Sequence, residues 1–204
     1  LLLYQALGFE PPQFAHLPMI LGSGRAKLSK RHGAVSITKY QQQGYLPGAM
    51  VNFMALLGWS LDDRTELFNS SFIFGKLSLE RVSQTAAIFN HDKLNWMNGV
   101  YIRSSTLEDF TQQALPFLNS GLPPEVKRPL SIDYVKQLMP PIQERAKTLA
   151  EVAELTQFFF VEELDYAPGL LISKNTSQSS ALKALQTAQE RLEPLEAFDT
   201  ESLE

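Results

Sequence analysis

The stretch Lys27-Leu28-Ser29-Lys30-Arg31 organises the chain, with Gly22 and Gly24 ahead of it and Gly33 behind. Four of its five positions carry side-chain hydrogen-bond donors, and three carry fixed positive charge. Glycines on both sides admit backbone conformations that other residues resist, so the segment reads as a movable loop. Ammonium and guanidinium groups make charge-assisted hydrogen bonds, which suits such a loop to gripping phosphate oxygens. A solvated basic turn is the plain alternative, since short basic runs are weak patterns. The setting decides between the two.

Working outward, the apolar run Phe14-Ala15-His16-Leu17-Pro18-Met19-Ile20-Leu21 predicts a short strand that delivers the loop. Before it, Leu1 to Leu7 reads as the last turns of a helix terminated by Gly8, and Pro11-Pro12 as a connector. After the loop, Ser36 to Tyr40 starts a short helix that stops at Gly44. Pro47 opens another, at the position where its missing N–H costs nothing. Ala49, Met50, Phe53, Met54, Leu56 and Leu57 give that helix a broad apolar face, and Gly58 ends it. A helix is expected over Leu77 to Val82, preceded by Phe72 and Phe74, and a further one opens at Asp92.

The second half reads as helix after helix. Thr106 is an N-cap with Asp109 three residues on, an approximate capping box. Pro123-Pro124 marks a break, and Pro140-Pro141 is expected to stop the helix that carries Tyr134 to Met139. Ile142, Ala146, Leu149 and Val152 or Ala153 form a helical stripe, as do Leu182, Leu185, Ala188, Leu192 and Leu195. The polar run Ser173 to Ser180 between them reads as a loop. Leu1-Leu2-Leu3 and Asp199-Thr200-Glu201 both look like helices met partway, so a chain cut at both ends is expected.

Composition sets bounds. The chain has 204 residues, 44% of them hydrophobic, which allows one large domain or two small ones with packed cores. With no Cys, disulfides, thiolate metal sites and cysteine nucleophiles are excluded. No apolar run reaches the roughly 20 residues of a membrane helix. Three scattered His residues give no credible metal site. His16 reads as a packed or hydrogen-bonded structural residue, and His32 is weak support for phosphate binding. The net charge of −4 speaks against a module that is basic throughout. The positive charge is instead concentrated at Arg25, Lys27, Lys30 and Arg31, and again at Lys127, Arg128, Lys136, Arg145 and Lys147. Local patches of this kind can hold phosphates on an otherwise acidic surface.

Taken in order, the Lys27–Arg31 loop, Gly44-Tyr45-Leu46-Pro47, the block Asn52 to Ser60 and the block Lys93 to Gly99 carry a resemblance. The loop resembles the lysine-serine-lysine signature loop of class I aminoacyl-tRNA synthetases, and the ordered blocks resemble the bacterial glutamyl-tRNA synthetase family. The likeness is strong from Leu1 to about Arg103 and looser beyond. It implies a mainly α chain in three parts: residues 1–34, the C-terminal edge of a doubly wound α/β nucleotide-binding domain; 35–105, a helical connecting domain; and 106–204, the first part of an α-helical anticodon-binding bundle. The implied activity is glutamate–tRNA ligation with ATP and Mg2+, by a cytoplasmic, monomeric enzyme with tRNA as partner and no membrane contact. These residues alone are expected to be inactive, lacking the other ATP-binding signature.

The resemblance assigns Lys30 the catalytic contact to ATP, with Lys27, Ser29 and Arg31 as further ATP-binding residues. As adenylate forms, negative charge builds on the departing pyrophosphate, and a cation better placed in the transition state than in the ground state accelerates the step. Arg31 stands where many class I loops carry Ser, a variant usual among glutamyl and glutaminyl enzymes. Lys93, Arg145 and Lys147 are assigned to tRNA, the last two facing RNA from the anticodon-binding bundle. Beside these stand plainer readings. Leu94, Trp96 and Met97 read as core with a turn at Asn98-Gly99, Phe158-Phe159-Phe160 as buried core, and Arg145 to Lys147 as a solvated helix face. A glutaminyl enzyme is disfavoured, because its tRNA-reading half is expected to be β-barrels. A non-catalytic RNA-binding or interaction module is the rival from another class.

Overall fold

The computed structural model describes residues 1–195 apart from 23, 29–35, 63, 165 and 174–175. The chain is mostly helical and divides into two compact units, 1–161 and 162–204.

In the first unit, α1 (Leu2–Leu7) ends as expected at Gly8, which sits at φ 72° and returns its amide to the Gln5 carbonyl. The strand that delivers the basic loop is much shorter than its apolar run suggests. Only Ile20–Leu21 forms β1, and it pairs in parallel with β2 (Ala87–Ile88), Ile20 opposite Ala87. Phe14, Leu17 and Met19 remain exposed, and the Met19 carbonyl, which accepts from the Ala87 amide at 3.0 Å, extends the pairing ahead of β1 by that one bond.

Next come α2 (Ile37–Gln42) and α3 (Pro47–Ala55), the latter with proline at its first position as read from the sequence. The helix expected over Leu77 to Val82 forms earlier, as α4 (Ser70–Lys76), and residues Leu79–Arg81 make only a 3-10 turn. Two causes outweigh the Leu77-Leu79 spacing. Asn69 caps α4 by accepting from the Phe72 amide at 2.7 Å. Phe68 and Ile73 bury against Trp59, whereas Leu77 and Leu79 stay exposed and have nothing to cover.

Helix α5 (His91–Ser104) is capped by Asn90, whose Oδ1 accepts from the Asp92 and Lys93 amides at 2.9 and 3.1 Å. Leu94, Asn98 and Ile102, four residues apart, share its buried face, with Met97 and Gly99 beside them. Asn98-Gly99 is therefore mid-helix and not a turn. Trp96 points away from that face and is 46% exposed, so it is not core. Tyr40, Met50, Phe53, Phe89, Leu94 and Met97 form the core beneath α2, α3 and α5.

A second core follows. Helix α6 (Leu107–Gly121) packs on α7 (Ile132–Arg145) and α8 (Glu151–Thr156). Thr106 caps α6 through the Asp109 amide at 3.1 Å, as its capping sequence predicts. Pro140 and Pro141 do not stop α7, which runs through both. An interior proline costs about 3 kcal/mol, but Val135, Met139 and Ile142 of this helix are all buried, each worth about 1.5–3 kcal/mol. Both prolines are exposed, as are Lys136 and Gln137, whose carbonyls lose amide partners and remain within reach of water. The stripe from Ile142 to Ala153 is indeed one buried row, but the helix breaks within it: Ala146 and Leu149 lie in the α7–α8 linker. Phe158 and Phe159 are 52% and 39% exposed, contrary to a core reading, and Phe160 alone of the three packs against the bundle.

The second unit holds a 3-10 turn (Pro168–Leu171) and α9 (Gln178–Leu192), capped by Ser177. The leucine stripe lies on α9 as far as Leu192, and Leu182, Leu185 and Leu192 are exposed. The helix start read at Asp199 lies outside the described residues.

Candidate functional site

The basic loop is approached through a tight hairpin. Leu21 bridges Lys27 in antiparallel fashion, Gly22 N–H donates to the Ala26 carbonyl at 2.9 Å, and Leu28 N–H to the Ile20 carbonyl at 3.1 Å. Arg25 takes φ 57° at the turn, a strained left-handed conformation for a residue with a side chain. Lys27 thus leaves the hairpin with its side chain exposed, while Leu28 tucks against the core under α2, α3 and α5. The position of Lys27 and Leu28 is set by that one apolar anchor and by the pairing of β1 with β2. Ser29, Lys30, Arg31 and His32 lie outside the described residues. His16, read from the sequence as packed or hydrogen-bonded, is exposed.

Lys93 stands in the first turn of α5 and pairs with Glu66 at 2.6 Å, both side chains partly exposed. Beneath it lies a polar knot that sequence reasoning missed. Asn52, fully buried on α3, donates Nδ2 to the Glu66 carbonyl at 2.9 Å and accepts at Oδ1 from the Phe68 amide at 2.9 Å. The Tyr101 hydroxyl lies 2.9 Å from the same oxygen and against the Phe68 carbonyl. Burial pushes the Tyr101 phenol above its ordinary pKa, which keeps it a proton donor. The loop that carries Glu66 is thereby fixed, and with it the partner of Lys93. An asparagine inside an apolar helix face was the available signal, both at Asn52 and at Asn98.

The basic positions of the second half separate by role. Arg128 spends its guanidinium on four backbone carbonyls, those of Asn119, Leu122, Pro123 and Val126, at 2.7–3.2 Å. It closes the C-terminal end of α6, where carbonyls lack helical partners, and is not available to a ligand. Lys136 pairs with Glu108 across α6 and α7, which holds the Glu108 carboxyl below its usual range and raises the lysine. Lys127, Arg145 and Lys147 are exposed and make no ion pair among the described residues. Arg145 ends α7. Lys147 is in the linker rather than on a helix, so the two do not share a helix face.

Among the described residues no group of three or more His, Asp or Glu side chains could hold a metal ion. No described helix is long and apolar enough to cross a membrane.

Two family models match the chain: tRNA synthetases class I (E and Q), catalytic domain, over residues 1–96, and an anticodon binding domain over residues 109–204. A glutamate–tRNA ligase of Dehalococcoides mccartyi (strain CBDB1) is 52% identical over 204 residues, all of this chain and 42% of that protein. One from Moorella thermoacetica is 43% identical over 205 residues, again across the whole chain and 42% of the relative. Among solved structures, a glutamate tRNA ligase from Elizabethkingia meningosepticum in complex with its amino acid matches with a TM-score of 0.70 at 27% identity. That match covers 96% of this chain and 41% of the other. The chain thus spans about two-fifths of the length of these relatives.

Proposed function

The chain belongs to the glutamyl-tRNA synthetase family of class I aminoacyl-tRNA synthetases, and on that premise we propose that it serves ATP-driven joining of glutamate to tRNA. Residues 1–34 close the nucleotide-binding domain, 35–105 connect, and 106–204 begin the anticodon-binding bundle. The observation that carries this reading is the Lys27-Leu28-Ser29-Lys30-Arg31 motif standing at the exit of a core-anchored hairpin.

Lys30 meets the charge that develops on the leaving pyrophosphate, Lys27 and Arg31 add to the positive field, and Ser29 offers a hydroxyl. Flanking glycines let the loop close over the nucleotide and open for release. On the RNA side, Arg145 and Lys147 contact tRNA from the bundle. Lys93 reaches backbone phosphate by leaving Glu66; exposed ion pairs are worth only about 0–1 kcal/mol, so the exchange is cheap.

The test separates the two half-reactions. Lys30→Ala in the enzyme should lower kcat for glutamate activation by about 10²–10³, with little change in KM for glutamate. Transfer from preformed adenylate to tRNA should be nearly intact, because pyrophosphate has already left. Equal loss in both steps, or near-normal activation, would refute the assignment.

A further inference from the structure

Both backbone polar atoms of Lys147 are held by side chains from elsewhere. Its amide donates to Glu151 Oε2 at 2.9 Å, and its carbonyl accepts from Asn98 Nδ2 at 2.6 Å. The other end of the same Asn98 amide accepts from the Leu46 amide at 2.8 Å, at the start of α3. A buried carboxamide is tolerated only when donor and acceptor halves are both matched. Asn98 is fully buried in the middle of α5, so its satisfaction depends on the Lys147 peptide lying where it does.

The surroundings allow little else to move. Ala146, Thr148 and Leu149 are buried, and Leu149 N–H donates to the Gly44 carbonyl at 3.0 Å. Gln143 Nε2 ties the end of α7 to the Ile102 and Ser105 carbonyls at 2.8 and 2.9 Å. Of the four residues 146–149, Lys147 alone has its side chain in solvent. A linker that only turned the chain from α7 into α8 would need no buried amide from a helix some fifty residues earlier.

We propose that Asn98 and Glu151 are positioning residues that hold the Lys147 backbone so that its ammonium meets tRNA at a fixed place relative to α3 and α5. The proposal rests on the reading of Lys147 as a tRNA contact. A backbone ordered before binding does not have to be ordered by the RNA, so its release should appear as weaker affinity.

A double-mutant cycle on tRNA affinity, measured across a salt series with the enzyme, tests this. Lys147→Ala should weaken binding roughly 3- to 10-fold and reduce the slope of log K against log salt by about one. Asn98→Ala and Glu151→Ala should each weaken binding several-fold when Lys147 is present and add nothing in the Lys147→Ala background. Glu151→Gln keeps the acceptor and should bind at least as well as the parent, which separates positioning from removal of a negative charge. If Asn98→Ala fails to fold, the two Glu151 variants, at a half-exposed site, carry the test. An unchanged affinity and slope in Lys147→Ala overturns the contact, and the proposal with it. A weakened Lys147→Ala with additive losses from the other variants leaves the contact standing and overturns the positioning.

Discussion

Gly44→Ala should be among the most damaging single-methyl changes in this protein. Gly44 sits at φ 81°, and a Cβ built there would lie 2.6 Å from the amide nitrogens of both Leu149 and Ala150, and 2.8 Å from Leu149 Cβ. Two of those neighbours are backbone, which cannot swing aside as a side-chain tip could. The left-handed conformation costs a residue with a Cβ about 1–2 kcal/mol. Forcing the α7–α8 linker away adds about 1–3 kcal/mol of overpacking, and losing the 3.0 Å bond from Leu149 N–H to the Gly44 carbonyl adds about 0.5–1.5 kcal/mol. The total, about 2.5–6.5 kcal/mol, is a large part of an ordinary domain's stability and corresponds to a fall in Tm on the order of 5–25 °C for a chain of this size. Two controls partition it in thermal and urea unfolding. Gly8 has φ 72° and open space, so Gly8→Ala should cost the conformational part alone. Gly75 lies within α4 in open space, so Gly75→Ala should stabilise by about 0.5–1 kcal/mol. A Gly44→Ala protein no less stable than Gly8→Ala would refute the close approach of the linker.

Two further outcomes are expected. Asp62 accepts from the Arg64 and Thr65 amides and from the Thr65 hydroxyl at 2.6–2.8 Å, and these bonds, the Thr65 amide foremost, hold its carboxyl below the usual aspartate range. Its contribution to stability is therefore present above the unfolded-state pKa and lost as pH falls through the lower folded value; carbon-detected NMR titration should find it titrating below free aspartate, and Thr65→Val should move it up. Arg128→Ala should lower stability by roughly 1.5–3 kcal/mol through the freed carbonyls of Asn119 and Leu122 at the end of α6, yet leave unchanged the tRNA affinity and salt slope of the proposed complex; a reduced slope would add Arg128 to the proposed tRNA contacts.

What could be read along the chain, and what could not, follows the range of the forces involved. Caps and terminators act within one turn, so Thr106 before α6, Pro47 at the head of α3 and Gly8 behind α1 are legible from neighbours alone. The amphipathic row Ile142-Ala146-Leu149-Val152 was legible as buried, but periodicity reports which residues face the core, not whether the backbone between them stays helical; the break at Ala146 comes from contacts with Gly44, about a hundred residues away in sequence, and with Asn98, about fifty away. The same non-locality explains α7, where a local rule about proline lost to burial of Val135, Met139 and Ile142 in a bundle the sequence does not display. Composition misled at Trp96 and Phe158, because aromatic character speaks for burial only when some element is there to cover it. At the candidate site the same division holds. The basic loop announced itself by charge and flanking glycines, both local. Asn98 carried no such mark, since its partners at Leu46 and Lys147 lie 52 and 49 residues away. An asparagine spaced four residues from Leu94 and from Ile102 is an anomaly in an apolar helix face, and such an anomaly predicts that another segment must come to meet it. Here the segment that comes is the one whose exposed residue is a lysine.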